Sequence, residues 1–211
     1  MVRCVRFIDG VGHEGFRGFS KEELEVNLFD EIHRIGTQNV RPVADAREFA
    51  LASGDGAILE LARNSTGFFG ATFEVTRPGR VVLMFDEVLV NGTVCAARND
   101  MANAICWDFA EPGLYRVENF EAITLKWAHV LAQTAEIRVI EPYLREFKCA
   151  TSADFRLASD DRDLVRIFEA GRETFAQNAV DVFTDCPCRE RAGWLCDSWF
   201  TARTSRLLTG N

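Results

Sequence analysis

The stretch Asp185-Cys-Pro-Cys-Arg-Glu190-Arg-Ala-Gly-Trp194-Leu-Cys-Asp197 gathers three carboxylates, two guanidinium groups and an indole. Proline is tolerated in a loop or in the first turn of a helix, so Pro187 predicts a helix starting near Arg189. On such a helix Glu190, Trp194 and Asp197 fall at i, i+4 and i+7 and share one face. Asp185, in the preceding loop, can turn toward that face, with Arg189 and Arg191 nearby. The combination suits a sugar. An aromatic plane covers the C–H face of a pyranose ring, and ionised carboxylates accept hydrogen bonds from neighbouring hydroxyls. A carboxyl crowded by others and by an indole is expected to have its pKa raised, the condition for a general acid near neutral pH. The same residues also read as a solvated helix face, with Arg-Glu-Arg as a surface ion-pair ladder.

The run resembles the signature of the α-L-rhamnosidases, glycoside hydrolase family 78, in the form Asp-Cys-Pro-x-Arg-Glu-Arg-x-Gly-Trp-x-x-Asp. Residues 67–94 and 114–147 are similar to the β-sandwich that precedes the catalytic barrel in that family. The resemblance covers roughly the last two thirds of the chain. It implies that Glu190 is the general acid that protonates the glycosidic oxygen, and that Asp185 and Asp197 hold rhamnose hydroxyls. Arg189 and Trp194 would line the same subsite, and no cofactor or metal is implied. The family inverts configuration, so a second carboxylate must activate water on the opposite face of the ring. In the family that base lies far along an (α/α)6 barrel, whereas this sequence ends at Asn211, fourteen residues after Asp197. The resemblance therefore implies a chain that carries the acid, lacks the base and is inactive alone. Leu195-Cys196 stands where the family commonly has Thr-Gly, which bears on the floor of the pocket.

The elements that must position these residues separate by periodicity into three regions. Residues 1–40 form a helical lead-in: Ser20 and Glu23 read as a capping box, Leu24, Leu28, Ile32 and Ile35 mark one face, and Gly36 ends it. Residues 41–150 read as an all-β antiparallel sandwich of the jelly-roll kind. Phe69, Ala71, Phe73 and Val75 alternate with Gly70, Thr72, Glu74 and Thr76, as in a half-buried strand. Pro78-Gly79 supplies a turn, residues 81–90 form a strand interrupted at Asp86-Glu87, and Asn91-Gly92 is a hairpin signal. Further strands are expected at 57–61, 114–117, 123–127 and 137–140. Residues 151–211 read as the truncated start of an α-helical barrel. Ser159 is the expected cap of a first helix with Asp160, Asp161 and Asp163 in its first turn. Leu164, Ile167, Phe168, Gly171 and Phe175 mark its apolar face. A break follows at 184–187, the second helix runs from Arg189 toward Leu208, and Gly210 supplies the stop.

Composition excludes several function classes. Lys and Arg number 24 against 32 Asp and Glu, a net charge of −8 with no basic run. The phosphate term would oppose binding to nucleic acid or an anionic membrane surface. No apolar stretch approaches the roughly 20 residues of a membrane span. No signal-peptide block follows Met1, so the chain reads as cytoplasmic if Met1 is the natural start. No glycine-rich phosphate loop and no Gly-x-Ser-x-Gly occurs. His13, His33 and His129 are isolated. Cys186, Cys188 and Cys196 offer three thiols with no nearby histidine, short of a four-ligand zinc site. The expected partner is a rhamnose-containing glycoside. The alternative is a non-catalytic carbohydrate-binding or interaction sandwich, with Trp107, Trp127 and Phe120 as candidate contact residues. Leu164, Phe168, Phe175, Trp199 and Phe200, left bare by a truncated barrel, would favour a homo-oligomer.

Overall fold

The computed structural model describes residues 2–6, 39–98, 103–151 and 155–210. The helix expected after Ser20 lies outside them, as do His13 and His33. The chain divides into two units, Met1–Arg145 and Glu146–Asn211, and each has its own apolar cluster.

The first unit is an antiparallel β-sandwich. Its strands are β1 (Val2–Arg6), β2 (Glu48–Leu51), β3 (Gly56–Arg77), β4 (Gly79–Asp86), β5 (Leu89–Val90), β6 (Thr93–Val94), β7 (Ala104–Phe109), β8 (Gly113–Glu118), β9 (Ile123–Leu131) and β10 (Glu136–Glu146). The strands expected at 57–61 and around Phe73 are one strand, β3, which serves both layers. Residues 56–60 and 65–67 pair with β9, the register shifting between Glu60 and Ser65, while residues 70–75 pair with β8. Such an irregularity bends a strand and increases its twist. One layer runs β1-β7-β4-β9-β3, and β3 continues into the other beside β8, β10 and β2.

Between the layers lies the main core, where Phe69, Phe73, Val81, Leu83, Phe85, Ile105, Trp107, Phe109 and Val139 are all buried. Trp107 is 1% exposed, with Phe73 at 5.6 Å between ring centroids. It is therefore a core residue and not a contact residue for a ligand. Trp127 is half-buried against a second cluster, formed by Val82, Met84, Ala104 and Cys106. Of the three aromatics considered for the sandwich, only Phe120 is exposed, on the turn between β8 and β9.

β4 is buried on both sides, Val81, Leu83 and Phe85 facing one cluster and Val82 and Met84 the other. That accounts for its unbroken apolar run. Asp86 ends the run, yet it is 1% exposed and accepts both guanidinium bonds of Arg98, at 2.7 and 2.6 Å. Asn91 and Gly92, with φ of 52° and 79°, make the two-residue turn between β5 and β6. Pro78 and Gly79 turn the chain between β3 and β4, which are not neighbours in the sheet. At Gly79 a Cβ would stand 2.6 Å from the Ala135 nitrogen, so only glycine fits that crossing.

Gly70 has a different reason. A Cβ there would stand 2.4 Å from the Tyr143 ring, which lies over the strand with its hydroxyl donating to Glu118 Oε2 at 3.1 Å. Arg145 donates twice to the same carboxylate, and with Tyr143 it holds the Glu118 carboxyl below its ordinary value.

The second unit holds two helices, α1 (Arg162–Asn178) and α2 (Leu195–Thr209). The cap of α1 is Asp161 rather than Ser159: its Oδ1 accepts from the amides of Asp163 and Leu164, while Ser159 Oγ accepts from the Asp161 amide one turn earlier. A carboxylate is the stronger cap, because it also meets the positive end of the helix dipole. Helix α2 starts at Leu195, six residues later than expected, and ends at Gly210 in the left-handed conformation. Phe175, Ala179 and Leu208 form the core, with Phe168, Phe183 and Cys149 packed on it. Phe168 and Phe175 are thus covered, whereas Leu164, Trp199 and Phe200 are exposed. Among the described residues no helix is long and apolar enough to cross a membrane.

Two substitutions test the account of Gly70. Gly70→Ala is expected to destabilise the sandwich by about 1–3 kcal/mol through overpacking. In the background of Tyr143→Ala the same change should cost clearly less, measured by urea unfolding of the four proteins of the cycle. Equal cost in both backgrounds would show that the ring is not the obstacle.

Candidate active site

The motif residues are carried by the loop between α1 and α2, which is secured at both ends. At the near end, the Thr184 amide donates to the Asn178 carbonyl at 2.9 Å, and its hydroxyl lies 3.1 Å from both the carbonyl and Oδ1 of Asn178. Thr184 is buried. At the far end, Ser198 Oγ donates to the Phe183 carbonyl at 3.0 Å. Between them Asp185 and Ala192 pair twice: the Asp185 amide donates to the Ala192 carbonyl at 3.0 Å, and the Ala192 amide donates to Asp185 Oδ1 at 2.8 Å. Arg191 takes a φ of 49° to close this ring.

Residues 187–190 form a turn and residues 191–194 are non-helical, so Glu190, Trp194 and Asp197 do not share a helix face. Trp194 is the N-cap residue of α2, with extended backbone, and Asp197 lies in the first turn. The expected helix over Arg189-Glu190-Arg191 gives way because the two Asp185–Ala192 bonds and the left-handed Arg191 fix a reversal there, and Gly193 resists a helix.

Glu190 and Trp194 nevertheless meet. The indole Nε1 donates to Glu190 Oε2 at 2.8 Å, and the guanidinium of Arg189 pairs with Oε1. Both oxygens of Glu190 are thus engaged from within the loop, one by a cation and one by an indole N–H. Glu190, Arg189 and Trp194 are all exposed, with 46% of Trp194 accessible. Asp185 is instead turned inward, onto the Ala192 amide. The four carboxylate and indole positions are therefore split. Glu190 and Trp194 form a contact pair, Asp185 braces the loop beneath them, and Asp197 stands at the positive end of α2, where a carboxylate suits the dipole.

Partial burial acts to raise the Asp185 pKa. It is outweighed by hydrogen bonds from the Ala192 amide and from Cys186, and the carboxyl is held below its ordinary value. Among the described residues no group of three His, Cys, Asp or Glu side chains could hold a metal ion. Cys186 and Cys188 are half-buried and Cys196 is exposed. Two open depressions, of about 370 and 630 Å³, lie on the sandwich beside Arg80 and Asp108 and beside Glu74 and Arg138. The motif loop is an open surface. Asn178, Thr184 and Ser198, which hold it, carry no signal in the sequence beyond their hydrogen-bonding capacity.

Residues 153–211 match the model of the bacterial α-L-rhamnosidase six-hairpin glycosidase domain. Solved structures agree on the fold. The rhamnosidase of glycoside hydrolase family 78 from Bacillus sp. GL1 superposes with a TM-score of 0.67 at 17% identity, over 80% of this chain and 18% of that one. A rhamnosidase from Klebsiella oxytoca with rhamnose bound gives 0.65 at 17% identity, over 81% and 37%. The α-L-rhamnosidase of Dictyoglumus thermophilum gives 0.55 at 14% identity, over 82% and 20%. The chain thus spans well under half the length of each of these rhamnosidases. No curated protein matches it in sequence.

The Asp185 brace has a pH signature. Because its folded carboxyl titrates below the ordinary value of 3.8, its stabilisation is present above that pH and is lost as the pH falls through the lower folded value. Asp185→Asn keeps an acceptor for the Ala192 amide but removes the charge. The variant is expected to be less stable at pH 7 and to lose less on acidification from pH 5 to pH 2, followed by thermal unfolding across that range. Parallel curves for the two proteins would remove Asp185 from the account.

Proposed function

We propose that the loop carrying residues 185–197 is the acid side of an inverting α-L-rhamnosidase site. In this reading Glu190 protonates the glycosidic oxygen as the rhamnosyl bond breaks, the Trp194 indole covers the C–H face of the sugar, and Arg189 lines the subsite. Asp197 accepts from rhamnose hydroxyls. Asp185 is given the same role in this reading while its Oδ1 holds the loop. The observation that supports the reading best is the 2.8 Å contact between the Glu190 carboxylate and the Trp194 indole on an accessible surface. It puts the Glu190 carboxylate and a ring-stacking surface at one point. The resemblance of the sequence motif and the match of residues 153–211 to the six-hairpin glycosidase model support this choice of substrate class.

An inverting reaction needs a second carboxylate roughly 6.5–9.5 Å from the acid to activate water. Asp185 serves as a brace and Asp197 as a hydroxyl acceptor, so the reading assigns the water-activating role to a group outside this loop. In this reading the loop carries the acid half of the site.

Titration with L-rhamnose, followed by the indole N–H resonance of Trp194, tests the binding part. A saturable shift is expected, absent with D-glucose, and Trp194→Ala, followed instead by the Asp185 and Ala192 amide resonances, should bind about tenfold more weakly. A Trp194 resonance that does not move would overturn the reading. Hydrolysis of an aryl α-L-rhamnoside by this chain is expected to be negligible. Turnover that disappears in Glu190→Gln would place a water-activating carboxylate within the chain or its self-assembly.

A further inference from the structure

Three of the five hydroxyls of α2 follow one rule. Thr201 donates to the Asp197 carbonyl, Thr204 to that of Phe200 and Thr209 to that of Ser205, each four residues back on the same helix. This is the ordinary local bond of a helical hydroxyl. Ser198 has the same option, since the Trp194 carbonyl lies four residues before it and already accepts its amide at 2.8 Å. Its hydroxyl leaves the helix instead and donates to the Phe183 carbonyl, fifteen residues away, at 3.0 Å. One residue thereby grips both ends of the loop. Its amide holds the carbonyl of the Trp194 residue whose indole meets Glu190, and its hydroxyl holds the backbone two residues before Asp185.

We propose that Ser198 is a positioning residue for the Glu190–Trp194 pair, acting through the Phe183 carbonyl to keep the two ends of the loop in register. The inference rests on the reading of this loop as a glycosidase subsite, and it extends that reading to a residue outside the motif. The physical reason is that the loop has little else to fix its width. The Asp185–Ala192 pair closes the ring from within, but Trp194 lies outside that ring, and Ser198 joins its backbone to the start of the loop through the Phe183 carbonyl. Without the hydroxyl, the helix start can slide relative to Phe183 while the Asp185–Ala192 bonds stretch to follow. The indole then loses its fixed distance to Glu190.

Ser198→Ala, Ser198→Thr and Ser205→Ala separate this from a general loss of stability. Ser205 is on the same helix, and its hydroxyl contact at 3.5 Å stays within that helix. Isotope-labelled proteins are compared by the Trp194 indole resonance and by hydrogen exchange at the Asp185 and Ala192 amides. In Ser198→Ala the indole resonance is expected to move and broaden, and exchange at the two amides to speed up roughly fivefold or more, as loss of a single hydrogen bond implies. The indole of the buried Trp107 should stay unchanged. Ser198→Thr, which keeps the hydroxyl, should restore both signals, and Ser205→Ala should leave them alone. An unchanged Trp194 resonance and unchanged exchange in Ser198→Ala would overturn the proposal. So would equal effects from Ser205→Ala, or failure of the threonine to rescue. If Ser198→Ala does not fold, the threonine variant decides the matter: native Trp194 and amide signals support the role, and displaced ones in a folded protein overturn it. A rhamnose titration of the unsubstituted protein keeps the two questions apart. A lack of response there overturns the glycosidase reading, while the unliganded spectra still judge the positioning role.

Discussion

The reversal between the two helices depends on the pairing of Asp185 with Ala192. A backbone bond in one direction and a carboxylate bond in the other close a ring across seven residues of chain. The carboxylate matters as more than an acceptor. Bonds from an amide to an ionised oxygen are stronger than neutral ones, and the depressed Asp185 pKa is the other face of the same interaction. Closing the ring forces Arg191 to a positive φ, a conformation that costs a non-glycine residue on the order of 1 kcal/mol. That strain is local and is offset by the two bonds. Its geometric effect is to throw residues 187–190 outward as a turn, so that Glu190 is presented at the surface and the chain returns in extended form to Trp194.

The same constraint explains why the helix expected from the sequence does not form where it was placed. Arg189, Glu190 and Arg191 are good helix formers, and Pro187 before them is a fair start signal. Intrinsic preference across three residues amounts to a few tenths of a kcal/mol, which two hydrogen bonds outweigh. A sequence pattern cannot reveal this, because the partner of Asp185 is a backbone amide, and every residue has one. The i, i+4 relation of Glu190 and Trp194 gave a correct contact for an incorrect reason. The two side chains meet across a non-helical return rather than along a helix face. Asp197 shows the limit of the same argument: the helix starts at Leu195, so Asp197 lies in its first turn and shares no helix face with Glu190.

In the sandwich the strands were more legible, because alternation is imposed by burial on one face and is printed in the residue types. Phe69, Ala71, Phe73 and Val75 are buried as their spacing demands. What alternation could not reveal is that 57–61 and this segment are a single strand. The intervening Ala62, Arg63 and Asn64 are exposed where the strand crosses between layers, so they look like a loop. Asp86 is another such case. An acidic residue ending an apolar run reads as a solvent-facing break, yet it is buried because Arg98 supplies a bidentate partner. Trp107 and Phe120 show the converse. Aromatic character says nothing about which of them faces solvent, and neighbours in the fold decide it.

A general acid must approach a glycosidic oxygen while a ring-stacking surface holds the sugar at a fixed distance from it. In this loop both oxygens of Glu190 are held by groups no more than four residues away in sequence, Arg189 on one and Trp194 on the other. The orientation of the carboxylate is therefore a property of the loop itself. Such an arrangement reduces the tertiary problem to a single length, the span from residue 183 to residue 194. Asp185 and Ala192 set most of that span from within, Thr184 moors one side to the end of α1, and Ser198 moors the other to the start of α2. Each mooring uses a carbonyl oxygen as acceptor. The outer side chains can thus vary while the backbone frame stays the same, provided that the Asp185 carboxylate and the hydroxyls of Thr184 and Ser198 are kept.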